Sequence, residues 1–177
     1  MSSRPFSTVK HAERSHALLA LLLALAAPAL CAHADSPEVV SPAGFRDALR
    51  AEHGSVLVLN LWASWCSPCL KEIPELLRLE RDYARCGVRL LGISMDEPAD
   101  RSRVVQPLLA ARFPAFRTLA RDASSMDAYA SVVDGAWNEL MPTSYVLDRD
   151  GRVVERIQGG KSYAEFAALV KPLARCP

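Results

Sequence analysis

The stretch Trp62-Ala63-Ser64-Trp65-Cys66-Ser67-Pro68-Cys69 restricts what this chain can fold into more than any other. A continuous apolar run, Val56-Leu57-Val58-Leu59-Asn60-Leu61, precedes it and reads as a strand covered on both faces. Leu70, Ile73, Leu76, Leu77 and Tyr83 follow at helical spacing. Pro74 falls inside that pattern, where its missing N–H and its ring predict a kink, and Gly87 ends it. A Cys-x-x-Cys pair therefore sits where a buried strand hands over to a helix. The first N–H groups of a helix are unpaired and its dipole end is positive. Both favour a thiolate at Cys66.

The N-terminus reads as a secretory signal over residues 1–34. Arg4, Lys10 and Arg14 form a basic start, Ala17 to Leu30 an apolar stretch, and Ala32-His33-Ala34 a small-x-small cleavage site. The apolar stretch falls short of the roughly 20 residues of a spanning helix, so cleavage is expected over anchoring. A lipoprotein leader ending at Cys31 would want a small residue where Leu30 stands. The expected setting is the periplasm or another exported compartment, where disulfides persist. Cys31 leaves with the leader, and an even set remains: Cys66, Cys69, Cys86 and Cys176. The whole chain of 177 residues carries a net charge of +1. The leader removes three basic residues and one acidic one, leaving 18 basic against 19 acidic. Nothing in that balance suggests a nucleic-acid partner.

Residues 35–177 read as one domain. Asp35 to Pro42 is a polar lead-in, expected to be loose. Phe45, Ala48 and Leu49 share one face of a short helix that ends near Gly54. Val88 to Ser94 is a second buried strand, and Pro98 to Arg112 a helix with Val104, Val105, Leu108 and Leu109 inward. A short extended piece to Leu119 leads to a helix over about 124–132, capped by Ser124 or Ser125. Asp134 to Leu140 is irregular. Thr143 to Leu147 and Val153 to Ile157 form a hairpin around Asp150-Gly151, and Tyr163 to Leu173 is the last helix. Early parallel strands with crossover helices, then a hairpin, make an α/β sheet of mixed direction.

Three chemistries suit the pair. A four-cysteine zinc site would need Cys86 and Cys176, but about twenty mostly helical residues separate Cys66 from Cys86, roughly 25–30 Å. Zinc holds its sulfurs at about 2.3 Å, and no His lies near the pair in sequence. A purely structural disulfide fits poorly at a strand-to-helix turn flanked by Trp62 and Trp65. Thiol–disulfide exchange fits best. Cys66 would attack and Cys69, one turn in, would resolve the mixed disulfide, with Ser67-Pro68 setting the turn between them.

Asn60 to Cys69, followed by Glu72, Pro74 and Glu75, resembles the thioredoxin superfamily and, within it, the exported TlpA/ResA-like branch. The likeness runs from about Val39 to the C-terminus. It implies a thioredoxin-like fold: a central mixed sheet flanked by helices, with an extra strand–helix insertion before the cis-proline hairpin. Met141-Pro142-Thr143 matches the family's cis-proline, which faces the disulfide and helps hold a substrate's extended backbone. Trp65 and Pro68 fall in the motif itself. Asn60 stands where ordinary thioredoxins carry a proton-handling Asp. The resemblance puts that task on Glu97, after the second strand, as proton acceptor for Cys69, with Asp96 as the neighbouring alternative. It also brings Cys86 and Cys176 together, because in such a fold the active-site helix and the last helix run the same way on one face. A structural disulfide between them is expected. The segment Asp134 to Leu140 is longer than is usual in the family, and Trp137 there either covers the active site or joins the core.

The resemblance further implies reduction of a disulfide in a specific partner protein, an apocytochrome c or a copper-site protein. Electrons would come from a membrane thiol reductant, with no cofactor and no metal. Pro68 beside Cys69 resembles reducing relatives. The alternatives are the reverse direction, a thiol oxidant of exported proteins, and a non-enzymatic copper- or partner-binding module. The second is disfavoured because no Met-rich or His-rich tract lies near the pair, and a peroxidase would need a Pro- and Thr-framed cysteine that Asn60 to Cys66 lacks.

Overall fold

A computed structural model describes residues 36–177. The expected leader, residues 1–34, and Cys31 lie outside the described residues. Among the described residues no helix is long and apolar enough to cross a membrane.

Strands β1 (Glu38–Val40), β2 (Val56–Trp62), β3 (Val88–Ser94), β4 (Thr118–Arg121), β5 (Thr143–Leu147) and β6 (Val153–Gln158) form one sheet in the order β1-β4-β3-β2-β5-β6. The pairs β1–β4, β4–β3 and β3–β2 are parallel, while β2–β5 and β5–β6 are antiparallel. Helices α1 (Pro42–Ala51), α2 (Ser67–Tyr83), α3 (Gln106–Arg112), α4 (Met126–Ala130) and α5 (Tyr163–Val170) cover it. This is the thioredoxin-like α/β fold that the sequence suggested, with β4 and α4 inserted before the hairpin.

Strand β2 is buried at every position, and its alternation sorts the core into two layers. Val56, Val58 and Trp62 face α2, α3 and α5 in a cluster that also holds Cys66 and Cys69. Leu57, Leu59 and Leu61 face α1 and α4, with Phe45 and Tyr129. Asn60 shares the parity of Val58 and Trp62, so its amide is directed at α2.

Three elements depart from the sequence reading. The lead-in is not loose throughout: β1 pairs in register with β4, Val39 opposite Ala120, and the Tyr129 hydroxyl donates to the Val40 carbonyl at 2.6 Å. Three residues are too few to show alternation, and the partner strand is supplied some eighty positions later. The expected helix over 98–112 is divided into a 3₁₀ turn (Pro98–Asp100), a π turn (Arg101–Val105) and α3. Pro107 brings no N–H to the preceding turn, which interrupts a continuous α ladder. The last helix ends at Val170, short of Leu173, and starts on a Ser162–Glu165 capping box. Helix α2, by contrast, is assigned continuously through Pro74.

At the far end of α2, Cys86 and Cys176 form a disulfide with a 4.0 Å Cα separation. Arg149 Nη2 donates to the Cys86 carbonyl at 3.0 Å, and so does the Arg175 N–H at 3.0 Å. The bond closes a loop with a sequence separation of 90. A Cys86→Ala/Cys176→Ser variant is expected to lose up to about 4–5 kcal/mol in denaturant unfolding, by the chain-entropy argument. A loss under about 0.5 kcal/mol would show that the unfolded chain gains little freedom from opening this loop.

Candidate active site

Cys66 is the N-cap of α2, and its Sγ accepts from the Cys69 N–H at 3.3 Å. Pro68 occupies the first helical turn, where a missing N–H is harmless. The two sulfurs are bonded, with a Cα separation of 5.2 Å. Cys66 retains 5% exposure and Cys69 none, so only Cys66 offers an edge to an incoming sulfur. Trp65 beside it is 63% exposed.

The Met141-Pro142 bond is cis. Strands β2 and β5 stay paired as far as Leu61 opposite Thr143, so Trp62, the last residue of β2, and Pro142, just before β5, lie at the same end of the sheet. Met141 packs against both core layers, including the one that holds the cysteines. Trp62 is fixed by its indole N–H, which donates to Thr118 Oγ1 at 2.9 Å. Gly92 makes room for that arrangement, because a Cβ there would collide with Phe116 and Thr118.

The carboxylate nearest in design to the resolving cysteine is Glu72, three residues beyond Cys69 on α2 and therefore on the same helix face. It is 2% exposed. Its Oε1 accepts from Asn60 Nδ2 and Ser144 Oγ, both at 3.1 Å, and its Oε2 from the Lys161 N–H at 2.9 Å. Burial raises its pKa from 4.5 to about 7, and the hydrogen bonds from Lys161 and Ser144 only partly oppose that rise. A carboxylate that holds or releases a proton near neutrality is suited to general base work.

Glu97 does not occupy that position. Its side chain is 72% exposed and paired with the guanidinium of Arg121 on β4, on the opposite side of β3 from β2. Asp96 is buried at 4% exposure and acts as a clamp on the loop before Cys66. Its two oxygens accept from the Ser64 N–H at 3.1 and 2.9 Å, from Ser64 Oγ at 2.5 Å and from Ser94 Oγ at 2.7 Å. Asp96→Ala is expected to cost about 1–3 kcal/mol, because the Ser64 donors lose a buried acceptor. Hydrogen exchange at the Ser64 amide should quicken in the variant, and an unchanged exchange rate would rule the clamp out.

Trp137 belongs to the core. It is 7% exposed, packed in the layer with Tyr129 and Tyr145, and its indole N–H is buried without an acceptor. Among the described residues no group of three His, Cys, Asp or Glu side chains is gathered to hold a metal.

Sequence reasoning did not single out Glu72 as a buried carboxylate beside the pair, although the spacing Cys69 to Glu72 placed both on one helix face. It also missed Ser144, which reaches Asn60 and Glu72 only through the antiparallel register of β5 on β2.

A disulfide on a helix start, level with a cis-proline in this sheet, defines a thioredoxin-like thiol–disulfide oxidoreductase. The redoxin family model matches residues 47–170, and the chain belongs to that family. Among curated relatives, the thiol:disulfide interchange protein HelX of Rhodobacter capsulatus is 29% identical over 153 residues, covering 84% of this chain and 80% of that one. The thiol-disulfide oxidoreductase ResA of Bacillus anthracis is 26% identical over 130 residues, 73% of this chain and 70% of its own. Among solved structures, a putative thiol:disulfide interchange protein DsbE from Chlorobium tepidum matches with a TM-score of 0.55 and 27% identity, over 70% of this chain and 80% of that one.

Proposed function

We propose that this chain is an exported reductant that opens a disulfide in a specific partner protein, in the manner of cytochrome c maturation or copper-site assembly. The observation that carries the reading is Glu72, a buried carboxylate near neutrality one turn beyond the resolving cysteine. A membrane thiol reductant would restore the dithiol. The names of the HelX and ResA relatives support the exchange chemistry. The secretory signal that the sequence leads one to expect over residues 1–34 supports export.

In the dithiol form, the Cys66 thiolate attacks one sulfur of the partner's disulfide. One Cys66–partner bond forms, the partner's S–S bond breaks, and one partner thiolate leaves. Glu72 accepts the Cys69 proton, and the Cys69 thiolate attacks Cys66 Sγ. The Cys66–Cys69 bond forms and the second partner thiolate departs. Two electrons have passed from the dithiol to the partner, which takes up two protons.

The reduction potential of the Cys66–Cys69 couple tests the direction. A value near about −270 mV is expected for a reductant, and one near about −120 mV would overturn this reading in favour of an oxidant.

A further inference from the structure

Three buried polar side chains meet between β2, β5 and α2, and their hydrogen bonds leave one acceptor over. Asn60, Ser144 and Glu72 are 0%, 1% and 2% exposed. Asn60 Nδ2 donates to Ser144 Oγ at 2.9 Å and to Glu72 Oε1 at 3.1 Å, and Ser144 Oγ donates to the same Oε1 at 3.1 Å. Glu72 Oε2 accepts from the Lys161 N–H at 2.9 Å. Every one of these partners of the carboxyl is a donor. Asn60 Oδ1, the other end of the same amide, is buried without a partner.

Such a set of bonds suits an ionised Glu72 alone, since a carboxylate only accepts. A protonated Glu72 must donate. Asn60 Nδ2 has nothing to accept with, and a Ser144 hydroxyl that accepted would leave its own hydrogen unplaced. A half-turn of the Asn60 amide about its Cβ–Cγ bond removes the conflict. It puts Oδ1 where Nδ2 stood, within reach of Glu72 Oε1 and Ser144 Oγ, and Oδ1 accepts from both. One end of the amide lacks a partner in either orientation, so the two orientations differ chiefly in which form of Glu72 they fit.

We propose that Asn60 is a positioning residue that follows the proton: its amide donates to Glu72 when the carboxyl is ionised and turns to accept from it when the carboxyl is protonated, with the Ser144 hydroxyl swinging between them. The inference rests on the reading of Glu72 as acceptor of the Cys69 proton. It lets Glu72 take that proton and give it up while hydrogen-bonded in both forms. The neighbouring charges come from α2 and from the turn before α5. Lys71 and Lys161 line the recess over the carboxyl with Pro68 and Gly160. The Lys161 ammonium pairs with Glu165 at 3.3 Å, and Glu75, one turn along α2, accepts from the Tyr163 N–H at 3.2 Å.

The test is an NMR titration of the full oxidised chain, in which Cys66 and Cys69 are bonded and do not titrate. It follows the Asn60 side-chain NH2 group on both sides of about pH 7, where Glu72 changes form. Above the transition, the NH2 protons should show nuclear Overhauser contacts to the Ser144 β protons. Below it those contacts should be lost, with the midpoint that the Glu72 carboxyl carbon reports. Glu72→Gln should leave the contact pattern independent of pH. Contacts that persist through the wild-type transition overturn the proposal, and so does a turn whose midpoint survives Glu72→Gln. Stopped-flow with a peptide disulfide adds a kinetic readout. Asn60→Ala should slow release of the second partner thiolate about ten-fold, while the first attack by Cys66 stays within about two-fold. Equal slowing of both steps overturns the positioning role. A Glu72→Gln chain that resolves as fast as the wild type overturns the reading of Glu72 as acceptor, while the NH2 contacts decide the turn by themselves.

Discussion

A Cys66→Ser variant is expected to lose disulfide reduction by on the order of a thousand-fold or more, because the hydroxyl that replaces the thiolate cannot attack a disulfide sulfur. Cys69→Ser should behave differently. Cys66 can still attack, but nothing resolves the product, so a mixed disulfide with the partner accumulates. Non-reducing electrophoresis and mass spectrometry would show it as an adduct that thiols remove. The asymmetry follows from burial: Cys66 keeps an exposed edge and Cys69 has none. Full activity in Cys66→Ser would end the assignment, and a trapped adduct through Cys69 in that variant would reverse the two roles. The same experiment, done in an extract of the exported compartment, identifies the partner that Cys69→Ser retains.

Glu72→Gln is expected to slow the resolving step by about a hundred-fold near neutral pH, since it removes the proton acceptor one turn from Cys69. The wild-type rate should climb with pH and level off above about 7, where Glu72 is ionised. In the variant the climb should shift toward the ordinary thiol range near about 8.5. Stopped-flow release of the second partner thiolate reads both profiles, and superimposable profiles would remove Glu72 from the step.

The same carboxylate makes stability depend on pH. Its folded pKa of about 7 lies above its ordinary value of 4.5, so the folded protein holds this proton more tightly than the unfolded chain does. Stability that is fully present below about pH 4.5 is therefore lost as pH rises through about 7. That difference corresponds to about 3 kcal/mol for this one group. Glu72→Gln should flatten this part of the pH–stability curve. A glutamine also leaves the Lys161 N–H facing an amide group in place of a carboxylate oxygen, so the change of slope, not the absolute stability, is the diagnostic quantity. A variant whose stability still falls over that window would mean that another group titrates there.

Much of this was legible in the chain itself. The Val56 to Leu61 run, the Cys-x-x-Cys turn and the helical spacing after it set β2, α2 and the redox pair, because period and burial are local signals. Met141-Pro142 was recognisable as the family's cis-proline, and Cys86 and Cys176 were brought together by the helix directions that the resemblance implied. Other features were not local. β1 exists only because β4 pairs with it, and three residues carry no readable period. The division of the 98–112 helix follows from Pro107, whose effect falls on the turn before it. Trp137 had two possible surroundings, and packing against Tyr129 and Tyr145 selected one.

The proton acceptor shows the boundary most clearly. The sequence by itself determined that Cys66 and Cys69 sit at a helix start, and the family resemblance implied that Asn60, which cannot titrate, stands where ordinary thioredoxins carry a carboxylate. The sequence reading puts the proton on Glu97, with Asp96 as the alternative, and passes over Glu72, because no local signal separates a buried glutamate from a solvated one. Only the tertiary structure decided between them. The β2–β5 register sets Ser144 beside Asn60, α2 lays Glu72 against both, and the Lys161 backbone closes over the carboxylate. Glu97 was left exposed, paired with the buried Arg121. Desolvation is a property of what surrounds a group in space, so the shift that makes Glu72 useful comes from residues up to 89 positions away in the chain.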